Sequence, residues 1–272
     1  MPEGPEIRRL ADRLDKVLAN YPLEHVWCAF EGIQRRAAHL QGRRILRIES
    51  RGKALLTHFD EGSVIYSHNQ LYGVWRVVAH GAEVIGKRSP RLLLATQRHD
   101  AWLLSASDIE LLDERELCQH RFIAALGPDP LAADTDTDRL LAHMTLPRFA
   151  SRQLGPLLLE QRFIAGVGNY LRSEILFFAG LLPTHRIKEL VPQQQRQLAE
   201  IILTICRRAY RHAGVTNTQA WREPVIAAGQ PRRRWRHAVF NRAGEPCHAC
   251  GSIIQRCNVA TRRLYYCPTC QR

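Results

Sequence analysis

The stretch of sequence that decides the fold is CHACGSIIQRCNVATRRLYYCPTC, residues 247–270, which begins and ends with a Cys-x2-Cys pair. Paired Cys-x2-Cys knuckles present four thiolates in a tetrahedron to one zinc ion. The spacing predicts one structural Zn²⁺ and a C-terminal zinc-ribbon β-hairpin. The predicted zinc ligands are Cys247, Cys250, Cys267 and Cys270.

The other four cysteines, Cys28, Cys118, Cys206 and Cys257, lack this spacing and are predicted to be small buried hydrophobic residues. The N-terminus carries early acidic residues and no apolar segment, so it does not resemble a secretory signal. No apolar run approaches the roughly 18 residues that span a bilayer. We therefore expect a cytoplasmic protein with reduced cysteines and no membrane partner.

The chain has 272 residues and a formal net charge of +13, which favours a polyanionic partner. Nucleic acid, a ribosome and a membrane surface all fit that charge. From residue 231 to the C-terminus, nine arginines face a single acidic residue, Glu245. The basic excess is thus concentrated next to the predicted zinc site, as in a localised contact surface.

Before the zinc module, the hydrophobic pattern changes twice along the chain. From Pro5, apolar residues recur every three or four positions, which predicts an amphipathic helix whose positively polarised start holds the N-terminus. Short β-rich runs then predict an antiparallel sandwich or barrel. The runs lie between about residues 24 and 126 and include 45–49, 54–59, 64–67, 74–78, 92–96 and 102–105.

Turn residues at 127–130 end the β pattern, and residues 135–212 have helical periodicity. Residues 213–231 lack periodicity and are predicted to form a mobile loop. We therefore predict an α+β protein with domains at 1–127, 128–230 and 231–272. They are an antiparallel β-sandwich flanked by helices, a helical domain and the zinc finger.

Three further motifs each have an ordinary structural interpretation and a functional one. In Gly166-Val-Gly-Asn169, backbone N–H groups at a helix start could receive a phosphate and Asn169 could add a donor, although a helix-packing loop fits equally well. Arg51-Gly-Lys53 precedes a strand and fits a turn with a solvated lysine. The turn at 68–73 could be partly buried or could insert as a wedge into a base stack.

In chain order, PEGPEI (2–7), RGKALL (51–56), QLY (70–72), GVGNY (166–170) and the terminal cysteine pairs resemble the formamidopyrimidine-DNA glycosylase family. The resemblance covers essentially the full length. It implies a bifunctional DNA glycosylase and AP lyase of base excision repair with a central helix-two-turn-helix domain. The implied partner is double-stranded DNA that contains oxidised bases or abasic sites, bound by a monomer.

The resemblance implies that Pro2, exposed after removal of Met1, attacks C1′ of the damaged nucleotide. An unperturbed α-amine is about one tenth free base at pH 7, against about 0.04% for a lysine. A secondary amine gives an iminium that permits β,δ-elimination of the strand. The resemblance further implies that Glu3 protonates the sugar ring oxygen and that Lys53 donates a proton linked to β-elimination.

The resemblance also assigns DNA contacts. Residues Gln70, Leu71 and Tyr72 would fill the gap that a flipped lesion leaves. A phosphate beside the lesion would be held by Asn169 and by Arg262, for which Arg263 is the rival. The family also gives this arginine a part in δ-elimination, but a guanidinium is a poor proton donor, so phosphate binding is favoured.

The N-terminal motif and the Gln-Leu-Tyr turn are typical of the branch of the family that acts on oxidised pyrimidines. The oxidised-purine branch, which acts on formamidopyrimidine and 8-oxoguanine, is the alternative. A zinc-ribbon DNA-binding protein without catalysis is a third, which loss of Pro2 or Glu3 would indicate. The chain departs from the family pattern at Ala125, where a basic residue is expected, and this predicts one phosphate contact fewer.

Overall fold

The computed structural model describes residues 2–84 and 86–272, which form two compact units. The first unit contains Pro2 and Glu6–Ala125, and the second contains Glu3–Pro5 and Leu126–Arg272. Among these described residues, no helix is both long and apolar enough to cross a membrane.

The first unit consists of short helices and eight strands, several of them joined by tight turns. The first two residues of its first helix, Gly4 and Pro5, belong to the second unit. The elements are α1 (Gly4–Leu18), β1 (Leu23–Cys28), α2 (Glu31–Ala37), a 3-10 turn (Ala38–Leu40), β2 (Ile45–Arg51), β3 (Ala54–Phe59), β4 (Ser63–His68), β5 (Val74–Ala79), β6 (Pro90–Thr96), β7 (His99–Leu104), β8 (Asp108–Asp113), α3 (Glu114–Gln119) and α4 (Arg121–Ala124).

These strands form two four-stranded antiparallel sheets, in the orders β1-β6-β7-β5 and β2-β3-β4-β8. One hydrophobic cluster combines residues of both sheets, such as Leu94 and Ile65, with Leu14 of α1. The six predicted strands and the predicted antiparallel sandwich are confirmed. The sequence analysis missed β1 and β8.

The second unit is helical and ends in a β-hairpin. Its elements are α5 (Thr137–Met144), α6 (Pro147–Ala150), α7 (Leu154–Leu157), α8 (Asn169–Ala179), a 3-10 turn (Ile187–Glu189), α9 (Pro192–Arg211), α10 (Gln219–Ala227), α11 (Arg232–Trp235), β9 (Gln255–Val259) and β10 (Arg262–Tyr266). The core is built on α5, α8 and α9, and Leu264 of β10 belongs to the same hydrophobic cluster. The hairpin therefore packs on the helices through their shared core, and the predicted helical domain and C-terminal hairpin are confirmed.

Residues 213–231 are not the loop that the sequence analysis predicted. They include α10, whose first turn is capped where the Thr218 hydroxyl accepts from the N–H of Trp221. The Trp221 ring stacks on Phe178 with an interplanar angle of 17° and lies against His248. The helix packs mainly through one aromatic side chain, Trp221, and Pro224 interrupts its apolar periodicity. For these two reasons the sequence pattern does not indicate a helix here.

Among the cysteines outside the two pairs, Cys28 and Cys206 are buried, as predicted. Cys257 is half-buried on β9. The prediction is wrong for Cys118, which is exposed near the end of the short helix α3.

Because Trp221 is the aromatic anchor of α10, Trp221→Ala should open this segment. We expect trypsin to cleave after Arg222 about tenfold faster, which corresponds to ~1.4 kcal/mol of lost aromatic packing. The measurement is limited proteolysis of the native protein followed by mass spectrometry. Trp235→Ala is the matched control, because Trp235 contacts only the Arg232 guanidinium among the ring contacts of the described residues. Equal cleavage rates in wild type and Trp221→Ala would contradict the packing role.

Candidate functional site

Glu3 lies at the start of α8 with its carboxylate buried, at 4% exposure. Its Oε2 accepts from the N–H groups of Gly168 at 2.8 Å and Leu171 at 3.3 Å, and its Oε1 accepts from that of Tyr170 at 2.8 Å. The first N–H groups of a helix have no partner within the helix and carry its positive partial charge. Glu3 therefore acts as the anion that caps α8.

Two glycines make this approach possible. A Cβ on Gly168 would lie 2.4 Å from Cδ of Glu3, and a Cβ on Gly4 would lie 2.9 Å from Cα of Gly166. The Gly4 N–H also donates to the Gly166 carbonyl at 2.8 Å. The N-terminal motif and the Gly-Val-Gly motif are thus two halves of one tight contact, although they are far apart in sequence.

This contact corrects one interpretation of the Gly-Val-Gly-Asn segment. The backbone N–H groups at Gly168, Tyr170 and Leu171 donate to Glu3, and that of Gly166 donates to Oε1 of Gln161 at 3.0 Å. They are not free to receive a DNA phosphate. The helix-packing interpretation therefore fits these four N–H groups.

Asn169 is half-buried and joins α8 to the C-terminal hairpin. Its Nδ2 donates to the backbone carbonyl of Arg263 at 2.9 Å, and its Oδ1 accepts from the Arg172 guanidinium at 2.7 Å. The side chain is therefore held in one orientation from both sides.

Arg262 and Arg263 begin β10, and both are exposed. A two-residue turn at Ala260 and Thr261, with φ of 50° and 63°, precedes them. Burial, and after it the charge of Arg262, lowers the pKa of Arg172 to about 10. The Arg262 charge is therefore close to α8, whereas Arg263 contributes its backbone carbonyl there.

The four predicted zinc ligands converge at the base of this hairpin, with all four sulfur atoms within 4.8 Å of one another. The Sγ atoms of Cys247 and Cys270 are 3.9 Å apart, and those of Cys250 and Cys267 are 3.5 Å apart. Zinc–sulfur bonds of about 2.3 Å in a tetrahedron require sulfur separations of roughly 3.8 Å. The cluster therefore fits one structural zinc ion, held by these four thiolates.

Local hydrogen bonds favour the thiolate that zinc needs at one ligand. Hydrogen bonds from Ser252 lower the pKa of Cys250 to about 6, whereas burial raises that of Cys247. The buried amide of Gln271 donates to the Leu181 carbonyl at 2.8 Å and accepts from the Cys267 N–H at 2.9 Å. This amide ties the cysteine cluster to the loop that follows α8.

Glu174 is a structural anchor that the sequence analysis missed. It is fully buried on α8, and its carboxylate accepts from the Thr216 hydroxyl and from the N–H groups of Ala238, Val239 and Phe240 at 2.5–2.9 Å. It therefore fixes the segment that leads into the zinc module. The signal in the sequence is that Glu174 is the one acidic residue of Asn169–Ala179 and is followed directly by apolar residues.

In the first unit, Lys53 occupies the two-residue turn between β2 and β3. Gly52 has a φ of 59°, as glycine at the first turn position of such a hairpin requires. Lys53 is buried at 7% exposure, so it is not the solvated turn lysine of the ordinary interpretation. Ala54 pairs with His68, and burial together with the Lys53 charge lowers the pKa of His68. Lys53 thus lies beside the turn that follows β4.

That turn, at residues 69–73, is fixed by its backbone. Gln70 adopts a left-handed φ of 47°, and a Cβ on Gly73 would lie 2.7 Å from Cα of Asn69. Leu71 and Tyr72 are 66% and 69% exposed, among the most exposed large apolar side chains of the described residues. The turn therefore presents two apolar side chains to solvent on a rigid base.

Gln70 behaves differently from its two neighbours. Its Oε1 accepts from the Ser107 hydroxyl at 3.2 Å, and its Nε2 lies 3.5 Å from Oδ2 of Asp108.

Pro2 is half-buried at the start of the described chain, and Met1, whose removal the predicted chemistry requires, lies outside the described residues. The first unit thus contains Pro2, Lys53 and the turn at residues 69–73.

Family models match three consecutive parts of the chain. The formamidopyrimidine-DNA glycosylase N-terminal domain matches residues 1–119, and the H2TH domain of the same family matches 126–220. A zinc finger found in FPG and IleRS matches residues 244–272.

Similar proteins match over the whole chain. Endonuclease 8 of Escherichia coli O17:K52:H18 is 43% identical over 271 residues, and that of Salmonella paratyphi B is 43% identical over 272, with 100% of both chains covered in each case. A crystal structure of Lactococcus lactis Fpg with DNA that contains an abasic site has a TM-score of 0.81 at 23% identity and covers 99% of each chain. That structure supports the fold.

The chain therefore belongs to the formamidopyrimidine-DNA glycosylase family. Within it, the relatives at 43% identity are endonuclease VIII proteins, so the resemblance found in the sequence is confirmed. The chain is an enzyme, a DNA glycosylase and AP lyase with one structural zinc. The interpretation as a DNA-binding protein without catalysis is set aside.

Because four thiolates organise the hairpin that carries Arg262, removal of zinc should unfold that hairpin. We expect a chelator, or Cys267→Ser, to lower affinity for abasic-site DNA at least tenfold. The measurement pairs metal analysis with a binding titration. Cys118→Ser, at an exposed cysteine that is not among the four predicted ligands, should keep both zinc and affinity. Unchanged affinity after verified zinc loss would refute this role.

Proposed function

We propose that this enzyme excises oxidised pyrimidines from duplex DNA through a Schiff base on Pro2 and then cleaves the strand by β,δ-elimination. The observation that supports it most is the contact between the chain start and α8. Three backbone N–H groups hold the Glu3 carboxylate, and Glu3 is joined directly to Pro2. A nucleophile at a chain terminus needs such an anchor, because free termini are usually poorly ordered.

Pro2 supplies a secondary amine once Met1 is removed. Attack of its nitrogen on C1′ expels the base with the electrons of the glycosidic bond. Opening of the sugar ring then leaves a cationic iminium that draws electrons from C2′. Loss of a 2′-proton expels the 3′-phosphate, and a second elimination releases the 5′-phosphate. Excision and strand cleavage therefore proceed through one intermediate.

Glu3 has two roles in this proposal, as helix cap and as proton carrier. Its carboxylate accepts three N–H bonds, an arrangement that favours the ionised form. It must therefore gain a proton before it can protonate the ring oxygen. The ammonium of Pro2 has to lose a proton to become a nucleophile, so it is the chemically matched source.

Lys53 is proposed as the proton donor for β-elimination, and the turn beside it as the wedge. Leu71 and Tyr72, both strongly exposed, would replace the stacking of the flipped base. Gln70 would have to leave Ser107 and Asp108 to join them. The wedge is thus proposed to comprise two side chains already presented to solvent and a third that DNA binding releases.

Asn169 and Arg262 are proposed to bind a phosphate beside the lesion. The charge of Arg262 acts on the Asn169 partner Arg172, whereas the contact that the described residues show for Arg263 is its backbone carbonyl, which accepts from Asn169. This supports Arg262 over Arg263.

We further propose a catalytic part at residues 1–127, a DNA-binding part at 128–230 and a zinc finger at 231–272. We also propose that the enzyme acts as a monomer, in the cytoplasm and associated with the nucleoid through DNA binding; the relatives it matches are bacterial proteins.

The Pro2 proposal is tested by borohydride trapping with abasic-site DNA. Protein confirmed by mass spectrometry to lack Met1 should form a covalent adduct, and a form that retains Met1 should form at least 100-fold less. The adduct should map to the tryptic peptide 2–8. An adduct on the peptide that contains Lys53 would overturn the assignment, as would failure to trap any adduct on the processed protein.

The pyrimidine preference is tested with one panel of duplexes that differ only in the lesion. We expect kcat/KM to be at least tenfold higher for thymine glycol and 5-hydroxycytosine than for 8-oxoguanine and formamidopyrimidine. An abasic-site duplex is the control, because it needs the lyase chemistry alone. The reverse order would favour the oxidised-purine alternative, which shares Pro2, Glu3 and Lys53.

A further inference from the structure

Arg172 is a fully buried arginine on α8, one helical turn after Asn169. Its exposure is 0%, and it is the largest of the fully buried side chains of the described residues. Neither the zinc site nor the proposed chemistry uses it directly. Arginine is seldom buried so completely unless it is paired, so its contacts need a physical explanation.

Every hydrogen-bond acceptor that the described residues give Arg172 is neutral. One terminal nitrogen donates to Oδ1 of Asn169 at 2.7 Å and to the carbonyl of Arg263 at 3.3 Å. The other donates to the carbonyls of Gly155 and Val259 at 3.2 Å and 3.3 Å. Burial lowers the pKa of Arg172 only to about 10, so the guanidinium stays charged at neutral pH.

A buried cation without a hydrogen-bonded carboxylate costs free energy that neutral acceptors offset only in part. An apolar residue would fill the same space in a helix core at lower cost. What an apolar residue could not do is hold several polar groups in fixed positions at once. The arrangement therefore points to a positioning role.

Two of the acceptors fix the turn of the zinc hairpin. Val259 is the last residue of β9, Arg263 is the second residue of β10, and Arg262 is paired with Val259 across the turn. Because Arg172 binds the carbonyls of Val259 and Arg263, it holds both strands immediately beside Arg262. The exposed guanidinium of Arg262 is thereby carried on a backbone that is anchored to α8.

The third acceptor fixes the amide of Asn169. With Oδ1 occupied by Arg172, the Nδ2 edge is the one that donates to Arg263 and that retains a second N–H. The opposite amide orientation would set an NH₂ group against the Arg172 donors. Arg172 therefore determines that Asn169 offers a donor, as an anionic phosphate requires.

We propose that Arg172 is a positioning residue for DNA phosphate binding, which orients the Asn169 amide and holds the hairpin turn that carries Arg262. The inference rests on the proposed phosphate contacts of Asn169 and Arg262. Since Arg172 is buried, it acts on DNA only through these two residues. Its removal should therefore act in the same way as the removal of those contacts and should not add to it.

The test is a double-mutant cycle on zinc-loaded, full-length protein with a duplex that contains tetrahydrofuran, an uncleavable abasic-site analogue. We expect Arg172→Met to weaken binding about tenfold to thirtyfold. Combined with Asn169→Ala, it should weaken binding no more than about threefold beyond the stronger single variant. The slope of log Kd against log salt concentration should fall by about one unit in Arg172→Met, as it should in Arg262→Ala. In the variant that combines the two substitutions, the slope should fall no further.

Two controls separate positioning from general damage to the fold. Arg207→Met removes another arginine that donates to carbonyls, those of Pro130 and Thr135, and should leave both affinity and salt slope unchanged. If Arg172→Met loses zinc, the comparison is repeated with Arg172→Lys, which keeps the charge but cannot bridge four acceptors.

The results separate a failure of the Arg172 inference from a failure of the proposed phosphate contacts. Suppose that Asn169→Ala and Arg262→Ala weaken binding. If Arg172→Met then binds as wild type does, or if its fold-change in Kd multiplies fully with theirs in the double variants, the Arg172 inference is overturned and the proposed phosphate contacts stand. If Asn169→Ala and Arg262→Ala both leave affinity unchanged, the contacts and the inference fail together. An Arg172→Lys variant with wild-type affinity and salt slope also overturns the inference.

Discussion

The candidate site residues of the second unit depend on one interaction, the carboxylate of Glu3 against the N-terminus of α8. Three N–H groups converge on it, and glycines at positions 4 and 168 provide the space. A helix start is a natural anion site, and here the anion belongs to the chain itself. The interaction orders the residue next to the proposed nucleophile and, in the same place, sets the position of Asn169 at the start of α8.

The second unit is held around that point by buried polar anchors as well as by its apolar core. Glu174 fixes the segment that enters the zinc module, Gln271 fixes the cysteine cluster, and Arg172 fixes the hairpin turn. Each has several partners in fixed directions. Apolar packing sets distances but tolerates small slips, whereas a polar group with several hydrogen-bond partners specifies one arrangement. A site proposed to bind a phosphate and to orient a nucleophile needs its side chains held in one arrangement.

The sequence predicted most of the fold, because strand alternation, helical periodicity and cysteine spacing are local signals. It missed β8, which has only six residues and in which the alternation of Ile109 and Leu111 with acidic residues is broken by the buried Leu112. It missed α10, where Pro224 and a single aromatic anchor hide the helix. It could not reveal that Glu3 caps α8, because that contact joins motifs more than 160 residues apart.

The contrast between the anchored residues and the wedge suggests how this architecture separates chemistry from lesion choice. Glu3 and Asn169 are constrained by side-chain contacts, so replacing them disturbs several partners. Leu71 and Tyr72 are held only through the backbone that Gly73 makes possible, and their side chains are largely exposed. If these two side chains form the proposed wedge, substitution at them would change what contacts the DNA stack and leave the hydrogen bonds of Glu3 and Asn169 in place. The proposal therefore assigns lesion preference and reaction chemistry to different side chains.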